Sequence, residues 1–212
     1  MWGETETPGA GTTILQKTHS LPQSLLAATA HFPMEYRVDP SVPTKLVLLM
    51  RNPAEALLAL RHYHAAGHTG FAQPAHFRGK DWAEFTSERS VAWFELYKAW
   101  LQWPSSSMLV MHYEQIQAAP LEESLRLLKF LGAPLDMGRL QCSLRYTEGQ
   151  FKRPSYPKHM QGYSIPRNVS QYLQDAQRRL NLILEEKNFP RIPAHLYRFS
   201  PSVIDTISAF AR

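Results

Sequence analysis

Three stretches of this chain end in side chains that can hold anions or move protons. The first is Lys17-Thr18-His19, which follows the apolar, β-branched run Thr12-Thr13-Ile14-Leu15. The second is Arg51, directly after Leu46-Val47-Leu48-Leu49-Met50. The third is Tyr113-Glu114, after Met108-Leu109-Val110-Met111-His112. Lysine and arginine supply standing positive charge, and histidine is the side chain that titrates near neutrality. In parallel sheets, ligands sit outside the C-terminal ends of the strands. Polar tips on successive apolar runs therefore mark one candidate site.

The elements that must carry these tips are legible in outline. Lys45 to Met50 is a continuous apolar run bounded by turn signals, the pattern of a parallel strand covered on both faces. Pro53 suits the first turn of a helix, and Ala54 to Ala65 holds good helix formers with Leu57, Leu58 and Leu60 available to pack. Trp82 to Trp103 repeats apolar and aromatic residues at helical spacing, so Trp93, Tyr97 and Trp100 read as core. Ser107 to His112 predicts another strand. Pro120 opens a helix to Leu131, with Gly132 as its C-cap. Glu148 to Pro166 reads as a basic, proline-broken loop, and Asn168 to Lys187 as a last amphipathic helix. Strand and helix alternate, which predicts an α/β fold with a parallel sheet flanked by helices. The whole chain, 1–212, is expected to form a single domain with its core between about 11 and 197.

Composition narrows the class. The chain has 212 residues, 44% of them hydrophobic and 19% charged, which excludes a disordered tail or a disulfide-stapled scaffold. Its single cysteine, Cys142, cannot pair within the chain and reads as a buried structural thiol. The net charge of +5 favours an anionic partner. The basic residues are spread along the chain without a block, so nucleic acid is not the expected partner. No apolar run is long enough to span a bilayer, and Met1 to Gly11 lacks the pattern of a signal peptide. Taken literally, the chain reads as soluble and cytoplasmic.

The order Lys17-Thr18-His19-Ser20-Leu21-Pro22, then Arg51-Asn52-Pro53, then His112-Tyr113-Glu114 with Pro120 and Phe130-Leu131-Gly132, resembles the sulfotransferases that use 3′-phosphoadenosine 5′-phosphosulfate (PAPS). Gly67-His68-Thr69-Gly70-Phe71-Ala72 and Gly149-Gln150-Phe151-Lys152-Arg153 resemble one branch of them. That branch is the WSC-domain-containing sulfotransferases, Golgi proteins that act on sialic acid in glycans. The resemblance implies a P-loop-like sulfotransferase fold, PAPS as sulfuryl donor, a carbohydrate hydroxyl as acceptor, and no metal. It implies a general base at His19 and a charge near the transferring group at Lys17. It places Arg51 on the 3′-phosphate of the nucleotide and Tyr113 with Glu114 near the adenine. Lys152 and Arg153 match the loop that closes on the same phosphate. In the cytosolic branch a serine shares that phosphate; its position here is Ala59, and Arg61 is expected to compensate. A Golgi setting follows for a full-length relative, where the sequon Asn168-Val169-Ser170 would matter; otherwise Asn168 simply starts a helix.

The family's strongest motif, a strand, a loop that holds the 5′-phosphosulfate on backbone N–H groups, and a helix, is not found. Pro8-Gly9-Ala10-Gly11-Thr12-Thr13 has a suitable composition but runs into the next strand instead of a helix. In the family that first strand lies inside the sheet. The expectation is a fold truncated at this unit, with the remaining strands closing up or the chain unstable alone. A catalytically inactive relative that keeps weak nucleotide affinity, or serves as an interaction module, is the alternative reading.

Overall fold

A computed structural model describes residues 17, 45–146, 163 and 165–197. The expected strand at Thr12–Leu15, the tip residue His19, and the loop residues Lys152 and Arg153 lie outside them. Lys17 is exposed and belongs to neither helix nor strand.

Strand β1 (Leu46–Met50) is followed by helix α1 (Pro53–Ala66), and a 3-10 turn (Pro74–Phe77) leads into helix α2 (Gly79–Trp100), with another 3-10 turn (Ser105–Ser107) after it. Strand β2 (Met108–His112) then runs without a linker into the short helix α3 (Tyr113–Ala118). Helices α4 (Pro120–Leu131), α5 (Met137–Arg145) and α6 (Arg167–Glu186) complete the order. The two strands pair in parallel, in a register from Leu46↔Met108 to Met50↔His112. A parallel pair needs a long crossover, which α1 and α2 supply. The α/β expectation, with parallel strands flanked by helices, holds.

The core forms where α2 and α6 cover the strands. Trp93, Phe94, Tyr97 and Trp100 from α2 meet Leu173, Ala176, Leu180 and Leu184 from α6, over Leu48, Met50, Met108 and Val110. The aromatic residues read as core are thus core, each below 9% exposure. A smaller cluster of Ala72, Phe77 and Trp82 packs under the α1–α2 connection.

Several expectations need correction. Helix α2 stops at Trp100 instead of Trp103, because Trp103 precedes Pro104, whose ring disfavours helical backbone in the residue before it. Strand β1 is not covered on both faces: Leu48 is buried, but Leu49 is 48% exposed. Cys142 is exposed, not buried. It lies on α5, an element the sequence reading did not place, and none of that helix's residues is buried. Gly132 does cap α4, in the left-handed conformation at φ 72° that glycine adopts without a Cβ penalty.

Candidate functional site

Because β1 and β2 are parallel and in register, their C-terminal ends lie side by side and the next residues meet there. Arg51 follows β1, Tyr113 follows β2, and the guanidinium sits 4.7 Å over the Tyr113 ring. Such cation–π contacts contribute about 0.5–1 kcal/mol at exposed sites. Asn52, only 2% exposed, is the N-cap of α1: its Oδ1 accepts from the Ala54 N–H at 3.0 Å. Pro53 takes the first helical position, where a missing N–H costs nothing.

The backbone around Arg51 is held by side chains from other elements. The Tyr97 hydroxyl donates to the Leu49 carbonyl at 3.2 Å. Trp93 Nε1 donates to the Arg51 carbonyl at 3.2 Å. The Asn52 N–H donates to Glu114 Oε1 at 2.9 Å. Burial, the largest influence, pushes the Tyr97 phenol up to about 12, so it keeps the proton it donates.

These residues border a cleft of about 340 Å³ lined by Arg51, Asn52, Glu55, Tyr113, Glu114, Gln117 and Leu196. Arg51 Nε and Glu114 Oε2 are buried and have no hydrogen-bond partner among the described residues. A buried donor on a permanent cation costs free energy unless a ligand completes it. An anion fits Arg51, and a hydrogen-bond donor fits the free oxygen of Glu114. A nucleotide offers both, through its phosphates and through its hydroxyl and amino groups.

Leu196 reaches the cleft because the segment after α6 folds back to the end of β2. There His112 is fully buried and its Nδ1 lies 3.4 Å from the Tyr197 hydroxyl. Burial lowers the His112 imidazole to about 4, against smaller opposing pulls from the Pro190 carbonyl and the Glu123 carboxylate. Burial, followed by the Glu114 carboxylate, raises the Tyr197 phenol above its usual range.

The site residues expected from the sequence separate here. Arg51, Tyr113 and Glu114 come together. Arg61 does not line the cleft: its Nε donates to the His76 carbonyl at 2.9 Å, it pairs with Asp81, and it lies 4.9 Å over Phe85. It stands ten residues further along, down the α1 axis and away from the strand tips. Glu55, Gln117 and Leu196 were missed. Glu55 reads in sequence as an ordinary first-turn acid, Gln117 falls between the expected strand and the helix from Pro120, and nothing links Leu196 to residues so distant in the chain. Among the described residues, no group of three or more His, Cys, Asp or Glu side chains is placed to hold a metal ion. No described helix is long and apolar enough to cross a membrane.

Comparison with known proteins identifies the family of the chain. A WSCD family member of Drosophila pseudoobscura pseudoobscura is 31% identical over 112 residues, 51% of this chain and 35% of that protein. WSCD family members of Drosophila melanogaster and Aedes aegypti are 29% and 32% identical over 113 residues. The matched stretch is 36% of the Drosophila melanogaster protein and 35% of the Aedes aegypti one. Among solved structures, mouse sulfotransferase SULT7A1 complexed with PAP aligns over 68% of this chain and 58% of its own, at 16% identity and a TM-score of 0.42. The sulfotransferase domain family matches residues 8–172, a span that contains the strand tips and the cleft's central arginine. The chain belongs to the sulfotransferase domain family.

Proposed function

We propose that the cleft at the ends of β1 and β2 binds the 3′-phosphoadenosine end of PAPS, in a protein that transfers the sulfuryl group to a carbohydrate hydroxyl. The observation that carries this reading is Arg51, whose buried Nε lacks a hydrogen-bond partner among the described residues at the edge of an open cleft. Arg51 also stands at the N-terminal end of α1, where the helix dipole favours negative charge. Arg51 holds the 3′-phosphate and Tyr113 flanks the adenine. The donor supplies the activated sulfuryl group, and transfer is mainly a matter of positioning and charge, as in phosphoryl transfer. His19 serves as base for the acceptor hydroxyl and Lys17 as standing charge, with Lys152 and Arg153 closing over the phosphate. Arg61, tied to Asp81, would have to exchange that partner to reach the nucleotide. Sialic acid on glycans is the acceptor by likeness to the WSC-domain branch, and the Golgi lumen is the compartment that acceptor implies.

The test is binding of adenosine 3′,5′-bisphosphate against adenosine 5′-monophosphate, in the wild type and in Arg51→Ala. The bisphosphate binds the wild type tighter, and Arg51→Ala loses about a hundredfold for the bisphosphate while the monophosphate changes little. Equal loss for both nucleotides would sink the assignment of the 3′-phosphate to Arg51.

A second reading, binding without turnover, is favoured by the pairing of the strands. β1 and β2 bond directly along their full length, with no gap for a loop-bearing strand between them.

A further inference from the structure

The polar groups of one peptide unit at the site are held by side chains. The carbonyl of Arg51 and the N–H of Asn52 belong to the same peptide bond. It lies beyond the last strand pair, Met50↔His112, and before the first helical residue, Pro53. Neither ladder nor helix therefore claims that N–H. The carbonyl accepts from Trp93 Nε1 at 3.2 Å, and the N–H donates to Glu114 Oε1 at 2.9 Å. Trp93 is a buried residue of α2, and Glu114 adjoins the tyrosine on which the Arg51 guanidinium rests. Three elements thus converge on the backbone that sets the direction of one arginine side chain.

We infer that Trp93 and Glu114 are positioning residues for Arg51: together they fix the Arg51–Asn52 peptide plane and so aim the guanidinium into the cleft. The inference rests on the reading of Arg51 as the phosphate-binding residue. Its physical basis is that a phosphate-binding fork is only as selective as its placement. A side chain free to swing about an unrestrained peptide must be ordered when the ligand binds, and that ordering costs affinity. The bond to Glu114 is charge-assisted and the stronger of the two.

The experiment uses the full chain and two readouts. Amide hydrogen exchange at Asn52 reports the clamp without any ligand. It is slow in the wild type, fast in Glu114→Ala, and slow again in Glu114→Gln, which keeps an acceptor oxygen. Calorimetry with adenosine 3′,5′-bisphosphate and adenosine 5′-monophosphate reports the consequence. Glu114→Ala and Trp93→Phe each lose about tenfold of the preference for the bisphosphate, and Glu114→Gln recovers most of it. Placed on an Arg51→Ala background, Glu114→Ala costs no further preference, as expected when one residue acts through the other. Unchanged exchange at Asn52 in Glu114→Ala overturns the clamp whatever the nucleotides do. Fast exchange with the preference intact overturns the positioning role while leaving Arg51's own role standing. If Arg51→Ala itself keeps the preference, the phosphate reading fails, and the inference falls with it.

Discussion

At the scale of single residues, a half-buried arginine and a buried histidine at the strand tips have opposite tasks. Arg51 stands beside open space, so its loss should be read in ligand binding. Lysine in its place keeps the charge but loses the planar fork, so Arg51→Lys should fall between wild type and Arg51→Ala in bisphosphate affinity. His112, by contrast, is sealed in, and its loss should be read in stability. Its imidazole moves from 6.5 in the unfolded chain to about 4 in the fold, with burial the main cause. Between those values the unfolded chain takes up a proton that the folded chain refuses. The stability contributed by neutral His112 is therefore complete above pH 6.5 and is lost as pH falls from there towards 4. The whole span is on the order of 3 kcal/mol. Urea denaturation above pH 6.5 and at about pH 5 should show wild type losing more stability than His112→Asn across the same interval. Equal losses would mean that His112 does not couple to folding.

At the scale of elements, the legible parts were those whose pattern repeats. The α6 spacing of Leu173, Leu180 and Leu184 announced its buried face, and all three are completely buried. Leu180→Ala should cost about 2–5 kcal/mol in chemical denaturation, since the α2–α6 contact cannot collapse around the cavity. Leu182→Ala, on the side of the same helix that is 67% exposed at that residue, should stay within about 0.5 kcal/mol. The strand β1, the helix start at Pro53 and the stop at Gly132 were readable for the same reason, as local signals satisfied locally. Helix α5 was not readable. Met137, Leu140 and Leu144 fall at helical spacing, but the segment is short and buries nothing among the described residues, and Cys142 was misplaced with it. The site was half legible. Arg51 and Tyr113 stood out as polar tips on apolar strands, yet Glu55, Gln117 and Leu196 are ordinary residues made neighbours by topology. Trp93, a tryptophan at helical spacing, reads as core. It is core, and its indole N–H has a second use that no spacing reveals.

At the scale of the whole molecule, binding and turnover come apart. On the proposed reading, the net charge of +5 favours the approach of a multiply charged nucleotide, and Arg51 lines the cleft that would receive it. Transfer asks for more: donors on the leaving 5′-phosphate, which the family takes from a loop between a strand and a helix. No such unit is legible in these 212 residues. Among the described residues β1 pairs directly with β2, with no strand between them. The chain should therefore gain thermal stability from adenosine 3′,5′-bisphosphate, by about 2.7 kcal/mol at a hundred times the dissociation constant. That gain should shrink as salt screens the phosphates. Incubated with radiolabelled PAPS and a sialylated glycan, the same chain should leave the label on the donor. A longer form that supplies a strand, a glycine-rich loop and a helix ahead of Thr12 should move the label to the glycan, and His19→Ala in that form should stop it. Label transfer by the 212-residue chain alone would show that its own backbone provides the missing donors, with Pro8 to Thr13 the first place to look.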